Sequence, residues 1–262
     1  MSPLEALPLG ALDQQAVLVI LLAFGRVGGL IATMPLVSQS NVPIPVKAGL
    51  GLVVAALSVG ALPLPPLPDI DAVRFGFLFG SEALLGLGMG FVVSLLLSVV
   101  DVAGSFIGMN SGLAVAMQFD PLSGGQSIVV TRIFQIAAFL TFFGLDLHHE
   151  VFLGLHDSFL AAPPGTGVLA FGVGEEFGRL FGDVLVGAVR ISMPVVATAF
   201  FVNLVAALVT RFAQQMNIYF SVGLAAQAPL ALSVCAFVIP AVIAWVASKG
   251  GDVRALLPLL AG

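Results

Sequence analysis

The sequence predicts an all-α fold, a polytopic membrane protein of about six long apolar helices arranged as hairpins, with a Gly/Met-rich central loop and kinked helices near the C-terminus. Three observations carry that expectation. The 262 residues are 59% hydrophobic and only 9% charged, with mean hydropathy +1.14. A soluble domain is about a quarter charged, so this chain has too little polar surface to cover itself in water. Apolar runs near the membrane-crossing length recur. At about 1.5 Å per residue, about 20 residues cross a hydrocarbon core of roughly 30 Å. Finally, 30 glycines and 16 prolines line or punctuate those runs, and small residues let helices approach closely inside a membrane.

The first apolar segment is Gln14–Pro35, interrupted by Arg26, with Gly25 and Gly29 as a small-xxx-small pair. Glu5 and Asp13 precede it in place of a positive n-region, and it is long for a signal sequence, so an uncleaved membrane helix is expected. A loop with Pro43 and Pro45 leads to the short second segment, Lys47–Leu62, which Pro63–Pro68 ends stiffly. The third, Phe75–Val102, has no charge from Ala83 to Val100. Its glycines (Gly76, Gly80, Gly86, Gly88, Gly90) predict burial against other helices. Ile128–Leu145 follows, with Arg132 near its start.

Residues 146–183 change character. Asp146–Ala161 is amphipathic and expected at a surface or interface; Pro163-Pro164-Gly165 breaks it, and a glycine-rich acidic linker runs to about Asp183. The fifth segment, Val184–Val209, contains Arg190, Pro194 and Asn203. A polar break from Arg211 to Asn217 precedes the sixth, Ile218–Ser248, whose 31 uncharged residues exceed one straight crossing; Pro229 and Pro240 are expected to kink or divide it. No fixed-period repeat and no soluble domain is visible, and residues 1–262 read as one integral-membrane domain.

Charge and cysteine usage exclude several function classes. Net charge is −5 and the nine Lys+Arg are spread singly, so no basic cluster reads as a nucleic-acid site or a polybasic lipid anchor. The lone Cys235 cannot form an intrachain disulfide. The serines are scattered without a G-x-S-x-G elbow, and no nucleophile–base–orienter set is legible. Gly86-Leu-Gly88-Met-Gly90 lies mid-helix without a preceding strand, which is wrong for a dinucleotide loop. His148, His149 and His156 sit on the amphipathic stretch, where a solvated polar face is the simpler account than a metal site. No catalytic residue, metal ligand or cofactor is expected.

Two patterns remain. Arg26, Glu82, Arg132 and Arg190 lie in or at the ends of apolar segments. A charge at the bilayer centre costs at least about 2.5–3.5 kcal/mol on insertion scales. Each should therefore face protein or water, either as an inter-helix or inter-subunit pair or as part of an ion path. The second pattern is residues 104–126, GSFIGMNSGLAVAMQFDPLSGGQ. On a helix, Gly104, Gly108 and Gly112 form one stripe, and Phe106, Met109, Leu113 and Met117 form another. The glycines permit close backbone approach. The methionines are soft and deformable, suited to a seal that yields, and apolar constrictions can gate by dewetting. Asp120-Pro121 and Ser123-Gly124-Gly125 end any helix there. A seventh packed helix is the plainer alternative to a gate.

In order and spacing these residues resemble the FliR family of flagellar type III export-gate proteins, whose injectisome counterparts are called SctT. Arg26 with Pro35, Val42-Pro43 and Lys47 match the family's opening. Gly108-x-x-x-Gly112 followed by Asp120-Pro121 matches its middle. His148, Ser158-Phe159 and Pro163 match the next motif, and Asn203, Arg211 and Gln215-Met216-Asn217 the polar motif before the last apolar region. Two departures are visible: Gln214 stands where the family has proline, and the family's proline after Gly223 is absent.

The resemblance implies a helical gate formed with FliP-like and FliQ-like membrane partners and an associated FlhB-like protein. Such a gate passes unfolded export substrates across the inner membrane within the flagellar basal body. It is powered by the proton-motive force and a separate ATPase and has no catalytic residues. It also implies that residues 106–119, Phe119 included, contribute to a plug, and that much of the assembly is drawn out of the bilayer plane. Arg26, Glu82, Gly104, Asp120, Pro121, Arg132, Asn203, Arg211, Gln215 and Asn217 are assigned to packing or inter-subunit contact. The alternatives are an injectisome export-gate subunit, a membrane scaffold without a pore, and a proton- or ion-coupled secondary transporter with Arg26, Glu82 and Arg132 at a midplane site. A transporter would often show two related halves, and none are visible here.

Overall fold

A computed structural model describes residues 14–35, 42–60, 71–110, 126–166, 173–212 and 224–261. All regular elements among them are α-helices, in the order α1 (Gln14–Thr33), α2 (Ile44–Gly60), α3 (Ala72–Asn110), α4 (Gln126–Gly144), α5 (Leu147–Ala161), α6 (Val173–Phe212), α7 (Leu224–Gly250) and α8 (Asp252–Leu259). Four described segments are long and apolar enough to cross a membrane, Gln15–Thr33, Ala72–Asn110, Gly178–Val209 and Ser233–Gly250. The bent pair Thr131–Gly144 and Leu147–Ala161, 64° apart, would make a fifth if it counts as one span. The chain is thus an all-α, polytopic membrane protein.

Local chemistry sets the boundaries. Pro43 precedes α2, its carbonyl accepting from the N–H groups of Val46 and Lys47, and Pro45 sits in the first turn, where a missing N–H costs nothing. Asp71 caps α3: its Oδ1 accepts from the Arg74 N–H at 3.0 Å. With no proline and no polar break, α3 continues for 39 residues, about 58 Å and well beyond one hydrocarbon thickness. The first seven residues of 104–126 therefore belong to this helix; residues 111–125 lie outside the described ones. Between α4 and α5, Asp146 adopts a left-handed backbone (φ 54°), which short polar side chains tolerate.

One boundary differs from the sequence expectation, and one run that proline was expected to kink or divide is not divided. Helix α6 begins at Val173, taking in residues to Asp183 that read as linker. Helix α7 runs unbroken through Pro229 and Pro240 from Leu224 to Gly250. The amphipathic stretch is helix α5, with Val151, Leu155 and Phe159, at four-residue spacing, buried and Phe152, Leu153 and Leu160 exposed.

The chain divides into two compact units. The first holds α1, α2, α3 as far as Ser94, α5 and α8. Within it α1 packs against α2, and Gly51 lies against the Phe24 ring. Helix α8 packs on α5, with Leu257 against Gly154 and Arg254 Nε donating to Asp157 Oδ2 at 2.9 Å. The second unit holds α3 from Leu95, α4, α6 from Gly178, and α7. There α4 packs against α7, and Gly187 accommodates the Trp245 ring. The indole Nε1 donates to the Leu96 carbonyl at 3.4 Å, and Lys249 Nζ meets Asp183 Oδ2 at 2.6 Å.

Candidate functional site

In the first unit, α1 and α3 meet backbone to backbone. A methyl group at Gly29 would lie 2.5 Å from the Ala83 carbonyl oxygen, one at Gly86 would overlap the Arg26 carbonyl, and one at Gly90 would meet the Leu30 carbonyl oxygen at 2.5 Å. Only glycine fits at these crossings. The close approach lets polar groups bridge the helices. Thr33 Oγ1 donates to Gly29 O at 3.0 Å within α1 and lies 3.2 Å from Leu87 O on α3, while Ser94 Oγ donates to Thr33 O at 2.6 Å.

An ion pair is buried in this seam. Arg26 Nε donates to Glu82 Oε2 at 2.7 Å, and both side chains are fully desolvated. Arg26 Nη1 donates to the Ser158 carbonyl at 3.0 Å and to its hydroxyl at 3.2 Å; that hydroxyl donates in turn to Leu155 O. The guanidinium sits 4.6 Å from the Phe159 ring centroid, a cation–π contact. The second carboxylate oxygen, Glu82 Oε1, accepts from the Gly165 N–H at 2.8 Å. Gly165 has φ 87°, a conformation that favours glycine. Among the described residues Arg26 Nη2 alone of the guanidinium nitrogens is buried without an acceptor. This arrangement joins α1, α3, α5 and the turn after α5.

In the second unit, the end of α3 presents two unlike faces. A Cβ at Gly104 would stand 2.8 Å from Thr131 Cα on α4, and Ala103, Ile107 and Gly108 are buried. On the other side Phe106 is 42% and Met109 70% exposed. One turn earlier, Asp101 Oδ1 accepts from Gln135 Nε2 at 2.6 Å, and Gln135 Oε1 accepts from Arg132 Nη1 at 3.1 Å. This carboxylate–amide–guanidinium chain clasps α3 to α4 just before residues 111–125.

The structure thus brings Arg26 and Glu82 together and joins Arg132 to a network whose other members, Asp101 and Gln135, were not singled out in the sequence. Asn203 is half-buried and Arg211 exposed on α6. His148 and His149 stack at 4.2 Å between centroids on α5, and His148 and His156 are half-buried. Gly112, Leu113, Met117, Phe119, Asp120, Pro121, Gln215 and Asn217 lie outside the described residues. Sequence reasoning also missed the role of Ser158, Phe159 and Gly165 around Arg26, although Ser158-Phe159 was visible as a motif.

Long apolar helices, glycine crossings and polar clasps between helices define a multi-pass helical membrane protein. Residues 17–250 match the family described as bacterial export proteins, family 1. The chain is 31% identical to the flagellar biosynthetic protein FliR of Bacillus subtilis (strain 168) over 208 residues, 78% of this chain and 79% of that one. It is 30% identical to FliR of Pectobacterium carotovorum subsp. carotovorum over 196 residues, 75% of each chain. It is 28% identical to FliR of Escherichia coli (strain K12) over 218 residues, 82% of each. The chain belongs to this export family, the FliR family of flagellar biosynthetic proteins.

Proposed function

We propose that the chain is a non-enzymatic subunit of the flagellar type III export gate in the bacterial inner membrane, at the base of the flagellum. With FliP-like and FliQ-like membrane subunits, and with an FlhB-like protein alongside, it forms a helical channel for unfolded flagellar proteins. Family membership supports the export role. The observation that carries the gate reading is the two-faced end of α3: Gly104 is locked against Thr131 while Phe106 and Met109 stand exposed. An apolar side chain left open beside a rigid seam is suited to close a constriction. On this reading Phe106, Gly108 and Met109, with Gly112, Leu113, Met117 and Phe119 beyond the described residues, belong to the plug.

The test combines assembly and leak. The chain is co-produced with the FliP-like and FliQ-like subunits, purified and reconstituted in planar bilayers. A stable hetero-oligomer that is closed at rest is expected. Replacing Met109 and Met117 by Ala should leave the oligomer intact and raise resting ion conductance several-fold. A functional monomer transporting a small solute in liposomes would overturn the gate reading, and unchanged conductance in the double variant would remove the plug role from the methionines.

A further inference from the structure

The end of α3 puts its polar side chains to two uses. Ser98 Oγ, Ser105 Oγ and Asn110 Nδ2 donate to carbonyls of their own helix, those of Leu95, Asp101 and Phe106. Asp101 instead reaches α4, where its Oδ1 accepts from Gln135 Nε2 at 2.6 Å while Gln135 Oε1 accepts from Arg132 Nη1 at 3.1 Å. The amide is used at both ends. Its N–H faces the carboxylate and its oxygen the guanidinium, the one orientation in which both bonds form. The rest of this contact is of another kind. Ala103, Gly104, Ile107 and Gly108 are buried, and Gly104 lies against Thr131 with no side chain to interlock. Apolar burial is non-directional, so it holds the helix end down without fixing its rotation. The carboxylate–amide bond is directional and does fix it.

We infer that Asp101 and Gln135 are positioning residues for the apolar plug face: they pin the rotation of the end of α3 on α4 and so hold Phe106 and Met109 where they close the passage. The inference rests on the reading of this segment as part of a plug. At about 100° per residue, Gly104 and Gly108 lie about 60° and about 20° from Asp101 on one stripe, whereas Met109 lies about 80° and Phe106 about 140° around the helix. A carboxylate held on α4 therefore keeps the glycine stripe inward and turns Phe106 nearly away from α4, in accord with the exposure of Phe106 and Met109. The pin is close to what it places, about 8 Å along the axis from Phe106 and about 12 Å from Met109. Arg132 is exposed and orients the amide from outside. Without the pin, apolar burial still keeps the helices together, but α3 can turn on its neighbour and carry Phe106 and Met109 out of place.

The test uses the full chain co-produced with its membrane subunits and reconstituted in planar bilayers in potassium chloride, with resting conductance read per purified oligomer. Gln135→Leu and Asp101→Ala each remove the bond and should raise resting conductance at least threefold, with oligomer yield within twofold of the unaltered chain. Asp101→Asn keeps an oxygen that accepts from the Gln135 amide and should raise conductance less than half as much as Asp101→Ala. Should Gln135→Leu not accumulate because it strands a carboxylate, Asp101→Ala strands none and is read in its place. A rise below threefold would overturn the inference, as would Asp101→Asn leaking at least half as much as Asp101→Ala. Loss of the oligomer in both Gln135→Leu and Asp101→Ala would also overturn it, by making the contact one of assembly only. If the variant with Met109→Ala and Met117→Ala stays closed, the plug reading falls and the inference with it; if that variant leaks and Asp101→Ala does not, only the positioning inference falls.

Discussion

Arg26 and Arg190 are the same side chain in two similar apolar helices, and the fold treats them oppositely. Arg26 is fully buried, paired with Glu82 and held by Ser158, where α3 passes so close that Gly86 cannot carry a side chain. Arg190 is exposed on a segment whose most apolar stretch is 28% buried, against 50% for that of α1, which carries Arg26. The contrast separates two settings. The α1–α3 seam is complete within the chain and fixes how these two helices pack. On α6 the Arg190 charge and the apolar Val186 and Met193 beside it are left exposed.

The largest effect is expected at the closed charge. Glu82→Ala leaves a desolvated guanidinium without its partner, a loss of about 3–5 kcal/mol. The variant should fail to accumulate in membranes and to restore swimming to a strain lacking the protein. Replacing both members, Arg26→Met with Glu82→Leu, removes both charges at similar volume and should recover much of the protein level, since apolar replacements of buried pairs are often tolerated. A double variant no better than the single one would mean that the pair does more than satisfy itself. Immunoblotting of membranes decides between these outcomes.

Next in size is the crossing that brings the pair together. Gly86→Ala places a methyl on the Arg26 carbonyl and forces the helices apart; overpacking of this kind costs about 1–3 kcal/mol. Gly76→Ala and Gly80→Ala meet nothing within 4 Å and should be neutral or slightly stabilising, because Ala is the better helix former. Thermal unfolding of the purified protein in detergent checks the contrast, and equal shifts at Gly76 and Gly86 would show that the seam is looser than described. In the second unit, Gln135→Leu strands the Asp101 carboxylate. Hydrogen bonds to charged groups contribute about 1.5–3 kcal/mol, and the half-buried Asp101 places the loss at the lower end.

These contrasts also separate what composition and pattern reveal from what they hide. The helices were legible because a crossing needs length and apolarity, and prolines and acids mark where runs stop; α1, α2 and α4 follow the expected segments within a few residues. Arg26 and Glu82 were conspicuous singly, since charges in apolar runs are costly wherever they lie. Their pairing was not legible, because 56 residues separate them and nothing local says which helices touch. Ser158 and Gly165 were harder still: one contributes a carbonyl and the other an N–H, groups every residue has. The glycine and Phe/Met stripes at residues 104–109 were readable from helical spacing, which α3 adopts there. Helix α6 hid its start, because glycines and acids that read as a linker are compatible with a first turn.

The smallest effect tests whether burial or proximity governs these pairs. Lys249 and Asp183 approach to 2.6 Å, as close as Arg26 and Glu82 at 2.7 Å, but their side chains are 30% and 48% exposed. If distance set the energy, the two pairs would respond alike. Water screens the outer pair and hydrates either member when the other is removed, so neither is left stranded. Lys249→Gln should therefore cost no more than about 1 kcal/mol, with membrane levels unchanged, and the loss should shrink as salt rises toward 1 M, where the screening length is about 3 Å. Glu82→Ala should be insensitive to the same change, because salt does not reach the seam. A salt-independent loss at Lys249 as large as that at Glu82 would mean that the outer pair is as desolvated as the inner one, with a neighbouring chain closing over it.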